Sequence, residues 1–306
     1  MQSPNTHPSI LLQPVLMEVL RARAEGGVMM PPKSGVHFGP GHFFHAMVAA
    51  SQTHGLAICK WIGLAPADGK LAGQQTHSTM LLSDVATGRL LRVMDADRLT
   101  LMRTVALSVA AYAISARGTP DSLGFIAGGR QAQEHLLAFL QQYPEVPEAH
   151  LYEPRPRGEA RFREICASRD VALHIHAHPE GVLEAAQLIV SSVPGTSPVQ
   201  GFLDLTRTRE DAFVCAVDVA RSWSFERAAE AQAYQVTDDL PQTRALIEQK
   251  NFPMPLDFGT DLPALAAGQA RYPDRGRIMY TFAGNAYADL AGAIWVHQSG
   301  AAVEDL

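Results

Sequence analysis

Cysteine, basic runs, long apolar runs and internal repeats are all scarce or missing in this chain. Its 306 residues hold 3 cysteines, Cys59, Cys166 and Cys215, each inside an apolar segment and without metal-type spacing. That excludes a disulfide scaffold and a cysteine-ligated zinc site, and leaves the reduced thiols expected of a cytoplasmic protein. No Lys/Arg-rich run occurs and the net charge is −6. A nucleic-acid partner needs a basic footprint, so none is expected. No stretch approaches the ~18 uninterrupted apolar residues of a membrane span, and residues 1–10 show no charged segment leading into an apolar one, so neither membrane insertion nor a secretory leader is expected. With 47% hydrophobic and 18% charged residues, the chain has the core for one large or two ordinary domains.

What is present centres on residues 121–132, Asp-Ser-Leu-Gly-Phe-Ile-Ala-Gly-Gly-Arg-Gln-Ala. A short apolar run breaks into paired glycines and then into a helical pattern over 132–140. A strand, a tight glycine turn and a helix lets backbone approach a pyrophosphate and aims free N–H groups at its charge. The usual fingerprint is Gly-x-Gly-x-x-Gly/Ala; here Ala127 takes the first position, and Gly129 and Ala132 the next two. An ordinary strand-to-helix turn fits the same residues. The segment 149–153 ends in Glu153, about 20 residues on, where an acid binds the adenosine ribose hydroxyls. That acid favours NAD, while Arg155 and Arg157 directly after it keep NADP open.

The rest of the chain supplies the frame. Residues 10–23 read as an amphipathic helix started or interrupted by Pro14, and 29–41 as a Pro/Gly-rich loop carrying Lys33. Strands are expected at 44–50, 56–62, 76–84 and 89–94. Lys60 lies inside the second, where an ammonium must snorkel out or have a partner. Thr100 reads as the N-cap of a long helix to 116, which puts Arg103 and Thr104 in its first turn, where an arginine opposes the helix dipole and calls for a fixed anion. Residues 118–120 end that helix and mark a domain boundary.

After residue 121 apolar strands alternate with helices, at 173–176, 181–186, 188–193, 212–217, 234–237 and 241–250. This implies a parallel sheet with ligands beyond its C-terminal strand ends, where Asp218 stands. A Pro/Gly-rich stretch (251–277) precedes a strand at 278–282 and a closing helix at 285–295 containing Asp289. His174, His176 and His178 alternate like metal ligands but lack acids at diagnostic spacing, so they read as surface-facing strand histidines. His37, His42 and His45 read the same way.

In order, these blocks resemble the ornithine cyclodeaminase/mu-crystallin family over nearly the full length. The resemblance rests on Cys59-Lys-Trp-Ile-Gly, Thr79-Met-Leu-Leu-Ser-Asp-Val-Ala-Thr-Gly-Arg-Leu-Leu-Arg-Val-Met-Asp-Ala and Leu99-Thr-Leu-Met-Arg-Thr-Val-Ala. It continues through Phe125-Ile-Ala-Gly-Gly-Arg-Gln-Ala, Ser191-Ser-Val-Pro-Gly-Thr-Ser-Pro-Val, Val217-Asp and Ala283-Gly-Asn-Ala-Tyr-Ala-Asp-Leu. The hairpin and Arg-Thr helix block is the most specific.

The resemblance implies an α/β fold: a Rossmann-type doubly wound parallel sheet (118–284) inserted into an α+β substrate-binding and dimerisation domain (1–117 plus 285–306). It implies a homodimer, NAD as cofactor with NADP not excluded, and hydride chemistry at a nitrogen-bearing carbon. The family reaction converts L-ornithine to L-proline and ammonia; relatives oxidise alanine or reduce ketimines and imines, and crystallin relatives bind the dinucleotide without turnover. Arg103 matches the arginine that grips the substrate carboxylate, Lys60 a lysine on that carboxylate or the reacting centre, and Asp218 the acid that manages the amine proton. Lys33 stands where many members carry a second carboxylate-binding arginine, and Thr76 and His77 fall near a ligand loop. On the cofactor side it implies Thr104, Gly128, Gly129, Arg130, Gln131, Glu153, Arg155, Val193 and Gly284. Departures are Ala127, Arg130, Lys33, Ala220-Arg221 after Asp218, Ser224, and Tyr280-Thr-Phe-Ala before Gly284. Ornithine as the substrate does not follow from such a pattern.

Overall fold

The strand carrying Lys60 alternates inward and outward side chains, with Leu56, Ile58, Lys60, Ile62 and Leu64 buried, and this period of two builds a sheet covered on one face. The computed structural model describes residues 6–39, 41–65, 75–195, 197, 200–249 and 257–300. Expectations that fall on Pro40, Thr196, Pro198, Val199, Lys250 and residues 1–5, 66–74, 251–256 and 301–306 lie outside the described residues. The described chain starts with α1 (Pro8–Leu11) and α2 (Gln13–Ala24), Pro14 lying in the first turn of α2 where no backbone donor is lost. Then come β1 (Val28–Met29), β2 (Ser34–Gly39), β3 (His42–Ser51), β4 (Leu56–Ala65), β5 (Gln75–Asp84) and β6 (Leu90–Asp95). They pair antiparallel in the order β1-β3-β4-β5-β6, with β2 also on β3. Helix α3 (Asp97–Ile114) follows and is buried almost all round from Leu101 to Tyr112.

Two expectations are corrected here. Residues 34–39 form strand β2 rather than loop, because Gly35 admits the close approach of β3; a Cβ there would lie 2.1 Å from the Phe44 carbonyl oxygen. Helix α3 starts at Asp97, three residues before Thr100, with Asp97 supplying a first-turn acid that also accepts the Ser78 N–H and hydroxyl. Arg103 therefore sits in the second turn, and the helix dipole is not what explains it.

Beyond residue 121 the apolar runs are continuous, as a sheet covered on both faces requires. The elements are β7 (Leu123–Ile126), α4 (Arg130–Gln142), β8 (Glu148–Tyr152), α5 (Glu159–Ala167), β9 (Ala172–Ile175), α6 (Pro179–Ala185) and β10 (Leu188–Ser191). They continue through β11 (Leu203–Asp204), β12 (Phe213–Ala216), β13 (Trp223–Ser224), α7 (Ala228–Ala231), β14 (Tyr234–Thr237), α8 (Leu240–Glu248), β15 (Thr260–Asp261), α9 (Leu262–Ala266) and β16 (Ile278–Thr281). Eight of these strands form a parallel sheet in the order β15-β14-β16-β12-β10-β7-β8-β9; β11 and β13 pair separately. Chain direction across the sheet reverses between β7 and β10, so their C-terminal ends open a crevice. Elements β15 and α9 fall within the stretch read as Pro/Gly-rich connection. Helix α10 (Ala286–Ser299) then returns to pack on α2, α3, β3 and β4. One apolar core runs through both sheets, from Ile58 and Met80 to Leu123 and Phe213.

Candidate active site

A cavity of ≈ 1450 Å³ lies where the C-terminal ends of the parallel strands face β2, β3, β5 and α3. On its parallel-sheet side is the glycine turn. Ala127 occupies the left-handed region at φ 75°, and its N–H reaches the Tyr152 carbonyl at 2.9 Å. Gly128 faces the Glu153 carboxylate closely enough that a Cβ would stand 2.9 Å from it. Glu153 accepts the Gly158 N–H at 2.8 Å, and a Cβ on Gly158 would lie 1.8 Å from the Gly128 carbonyl oxygen. Gly129 caps α4 with no side chain bonded across the helix N-terminus, so the turn ends in open N–H groups. Gly129, Arg130 and Gln131 line the cavity, as do Val193 and Gly284. Two buried polar atoms on the same wall, Gln131 Oε1 and Ser192 Oγ, have no hydrogen-bond partner among the described residues. Unsatisfied acceptors, an open helix N-terminus and an acid beside the turn fit a dinucleotide laid along it. Arg155 and Arg157 are exposed and lie off the cavity.

Opposite stands a group of cations. The Lys33 Nζ donates to the Ala283 carbonyl at 2.7 Å, and its N–H to Gln242 Oε1 at 2.8 Å. Burial, opposed by Asp238 and reinforced by Arg103, brings the Lys33 ammonium down to about 8. Asp238 is held in place by the Ala283 and Gly284 N–H groups and the Asn285 amide. Arg103 lines the cavity, with its Nε 3.0 Å from Asp289 Oδ1. Lys60 Nζ is 2.7 Å from Asp289 Oδ2, and both Lys60 and Asp289 have 0% exposure. Burial, with Arg103 and Lys33 nearby, lowers Lys60 to about 8 although Asp289 opposes the shift. Thr76 lines the wall, Thr104 bonds its hydroxyl back to the Thr100 carbonyl at 2.9 Å, and His77 at the rim pairs with Asp97 at 3.2 Å.

Between the two walls sits Asp218, at the end of β12. It accepts from the Ser191 hydroxyl (3.1 Å), the Ser222 hydroxyl (2.6 Å) and the Val193 N–H (3.3 Å). Burial outweighs these three bonds and pushes its carboxyl up from 3.8 to about 6, so it exchanges a proton near neutral pH. The loop after it turns through Val219 and Ala220 at φ 59° and 55°.

The model of the family described as ornithine cyclodeaminase/mu-crystallin matches residues 5–299. The chain belongs to the ornithine cyclodeaminase/mu-crystallin family. It is 30% identical over 182 residues to an alanine dehydrogenase of Archaeoglobus fulgidus, covering 60% of this chain and 55% of that protein. Against the ketimine reductase mu-crystallin of Mus musculus the figures are 26% over 179 residues, 57% and 55%. The chain spans about half the length of the curated relatives it matches. Among solved structures, an archaeal alanine dehydrogenase dimer with bound NAD superposes with a TM-score of 0.79 at 22% identity, covering 96% of this chain and 93% of that one. The Thermococcus litoralis Δ1-pyrroline-2-carboxylate reductase with NADH and L-proline gives 0.79 at 17%, covering 95% and 94%. These likenesses show a shared fold.

Set among the family's blocks, the residues singled out in the sequence fall into two groups. Lys33, Thr76, His77, Arg103, Thr104, Gly129, Arg130, Gln131, Val193, Asp218 and Gly284 line one cavity. Lys60 stands behind its wall, and Gly128 and Glu153 beneath the turn. His45, read from sequence as surface-facing, lines the cavity instead, because the odd positions of β3 face inward there; His37, on β2, is exposed as expected and stands at the cavity rim, its Nε2 3.1 Å from that of His45. Burial and then Lys33 bring His45 down to about 4. His176 contacts His150 at 3.0 Å and His174 pairs with Glu148 at 3.3 Å; no group that could hold a metal occurs among the described residues. Asp289 and Asp238 went unassigned. The available signal was Asp289 itself, an acid inside a helix apolar on every side.

Proposed function

We propose that this chain is a dinucleotide-dependent enzyme of the family that interconverts a small amino acid and its imine. The observation that carries this reading is one cavity shared by a pyrophosphate-type glycine turn, a cationic wall and a buried, hydrogen-bonded acid that burial pushes up to about 6. The turn at Gly128 and Gly129 would hold the cofactor phosphates, with Gln131 and Ser192 as further polar contacts. Glu153 would hold the ribose hydroxyls, which favours NAD over NADP. When bound, the cofactor supplies hydride transfer at the nitrogen-bearing carbon. Arg103 and Lys33 bind and orient the α-carboxylate, the guanidinium as a planar fork and the ammonium as a point charge. Asp218 delivers a proton to nitrogen during imine reduction and takes it back in the reverse direction.

Residues 118–284 would then serve the cofactor, and 1–117 with 285–306 the substrate. A second copy covers the outer face of the antiparallel sheet. There Val48, Cys59, Leu81 and Val93 align across four strands, and Val48, Leu81 and Val93 are exposed together with Trp61 and Leu91. An apolar patch of that extent is a protein interface rather than a solvated surface. Three free cysteines, and no described helix long and apolar enough to cross a membrane, are consistent with a cytoplasmic enzyme.

Product analysis tests the assignment. Net NADH oxidation with an imino acid, or its formation from an amino acid, supports the oxidoreductase. Proline and ammonia from L-ornithine with catalytic NAD⁺ identify cyclodeamination as the specific reaction. NADH binding without turnover across amino acids and cyclic imines identifies a crystallin-like binder and rejects the enzyme.

A further inference from the structure

One peptide group, between Ala283 and Gly284, is gripped from both sides. Its N–H donates to Asp238 Oδ2 at 2.8 Å, and its carbonyl accepts from the Lys33 ammonium at 2.7 Å. Asp238 follows β14 directly and also accepts the Ala283 N–H and the Asn285 amide, each at 2.9 Å. Tyr287 donates to its main-chain carbonyl at 2.6 Å. Asp238 has 0% exposure and does not line the cavity, whereas Lys33 and Gly284 do. Gly284 holds φ 81°, and a Cβ there would stand 3.4 Å from the Lys33 Nζ, so the turn passes close to the ammonium. The Lys33 N–H is fixed on Gln242 of α8, which anchors both ends of this residue on the parallel-sheet half. An ammonium has three donors, so two remain for a ligand once Ala283 has taken one. A carboxylate on the N–H of an amide polarises it and strengthens its carbonyl as an acceptor.

We infer that Asp238 is a positioning residue for the ligand carboxylate: through the Ala283–Gly284 peptide it fixes the Lys33 ammonium at the cavity wall and supplies its counter-charge, without meeting the ligand. This rests on the reading of Lys33 as a carboxylate contact. It adds to a simple clamp on the turn the consequence that Lys33 and Asp238 act as a pair across one peptide. Burial lowers the proton affinity of Lys33 most, Asp238 raises it and Arg103 on α3 lowers it, leaving it at about 8. His45 on β3 and Lys60 on β4 feel the same ammonium. Around Asp238 stand Asp239, Tyr280 and Tyr287. Burial raises its carboxyl against the bonds from Ala283, Asn285 and Gly284 and the charge of Lys33. Among these groups Asp238 is the one that keeps the proton on Lys33.

The test is a double-mutant cycle on the full chain, read by calorimetric binding of pyruvate and L-proline with and without NADH, whose own affinity is measured by fluorescence. Asp238→Asn keeps the shape of the side chain and removes its charge. It weakens both carboxylates roughly tenfold near neutral pH when Lys33 is present, and less than about twofold in the Lys33→Met background. Because Asp238 raises the proton affinity of Lys33, its removal also moves the alkaline loss of carboxylate binding to lower pH. In turnover the variant raises KM for the carboxylate substrate more than it lowers kcat. If that variant folds poorly, Gly284→Ala displaces the same peptide from the Lys33 side and enters the cycle with the same expected outcome. Equal losses in both backgrounds would make Asp238 a support of the loop alone and overturn the inference, as would unchanged affinity in Asp238→Asn. Lys33→Met with wild-type carboxylate affinity overturns it through the reading of Lys33. A wild-type chain that binds neither carboxylate overturns it together with the carboxylate reading of the site. Failure of NADH to bind, with carboxylate binding intact, removes the cofactor assignment and leaves this inference standing.

Discussion

Replacing Asp218 by Asn should make the protein more stable at neutral pH while removing most of its activity. Burial raises the Asp218 carboxyl from 3.8 to about 6. A raised carboxylate favours the protonated native state, so its contribution is fully present below 3.8 and is lost as pH climbs through about 6. Two units at ~1.4 kcal/mol each make the charged form cost about 3 kcal/mol at pH 7 and above. Asparagine carries no charge but cannot accept on both positions. Its oxygen can keep the Ser222 and Val193 donors, and its amide can donate to Ser191 Oγ, which already accepts from Trp223 Nε1 at 2.9 Å. The Ser191 proton then loses its acceptor, at about 1 kcal/mol. The variant should therefore exceed wild type by about 2 kcal/mol at pH 8 and fall about 0.5 kcal/mol below it near pH 4. Paired urea denaturations at both pH values measure this, because other titrating groups cancel in the difference. A stability difference that is flat with pH, or that grows toward acid, would refute the reasoning. In turnover the same variant should lose roughly 10²–10⁴-fold in kcat with NADH affinity near normal; equal activity removes Asp218 from the chemistry.

Three further outcomes follow from the geometry. Glu153→Ser should weaken NAD binding roughly 10- to 100-fold, as loss of charged hydrogen bonds to the ribose requires, and raise the NADP/NAD preference; an unchanged ratio in cofactor titrations counts against that role. Leu81→Glu, in the centre of the aligned apolar row, would bury a carboxylate between copies and should convert the proposed dimer to monomer by sedimentation, whereas an unaltered mass would place the interface elsewhere. Ala127→Gly relieves a left-handed alanine at φ 75° and should raise stability by roughly 0.5–1 kcal/mol in thermal or urea unfolding; a loss would mean that the methyl group packs to advantage.

Much of this architecture was legible because local chemistry determines it. The runs 123–126 and 234–237 are strands at the expected bounds, since sheets covered on both faces write themselves as short apolar blocks. The run 56–62 was legible as a strand, and the lysine inside it had either to snorkel out or to have a partner; that partner is Asp289. What failed was non-local. Strand β2 exists because Gly35 fits against β3, a contact that composition conceals. The start of α3 depends on Asp97 reaching across to Ser78 on β5, so the cap-like Thr100 misled. The anion expected near Arg103 is Asp289, supplied by the closing helix from the far end of the chain. His45 was misplaced because a strand's period gives two faces and does not say which one looks into a cavity.

The central claim is that the glycine turn, the cationic wall and Asp218 together serve one reaction on a carboxylate-bearing imine. Its most direct measurement is NADH binding by fluorescence followed by NADH consumption with open-chain and cyclic imino acids, each product identified. The account predicts saturable NADH binding and NADH oxidised mole for mole with formation of an amino acid. No NADH binding, and no consumption with any imino acid, would contradict it.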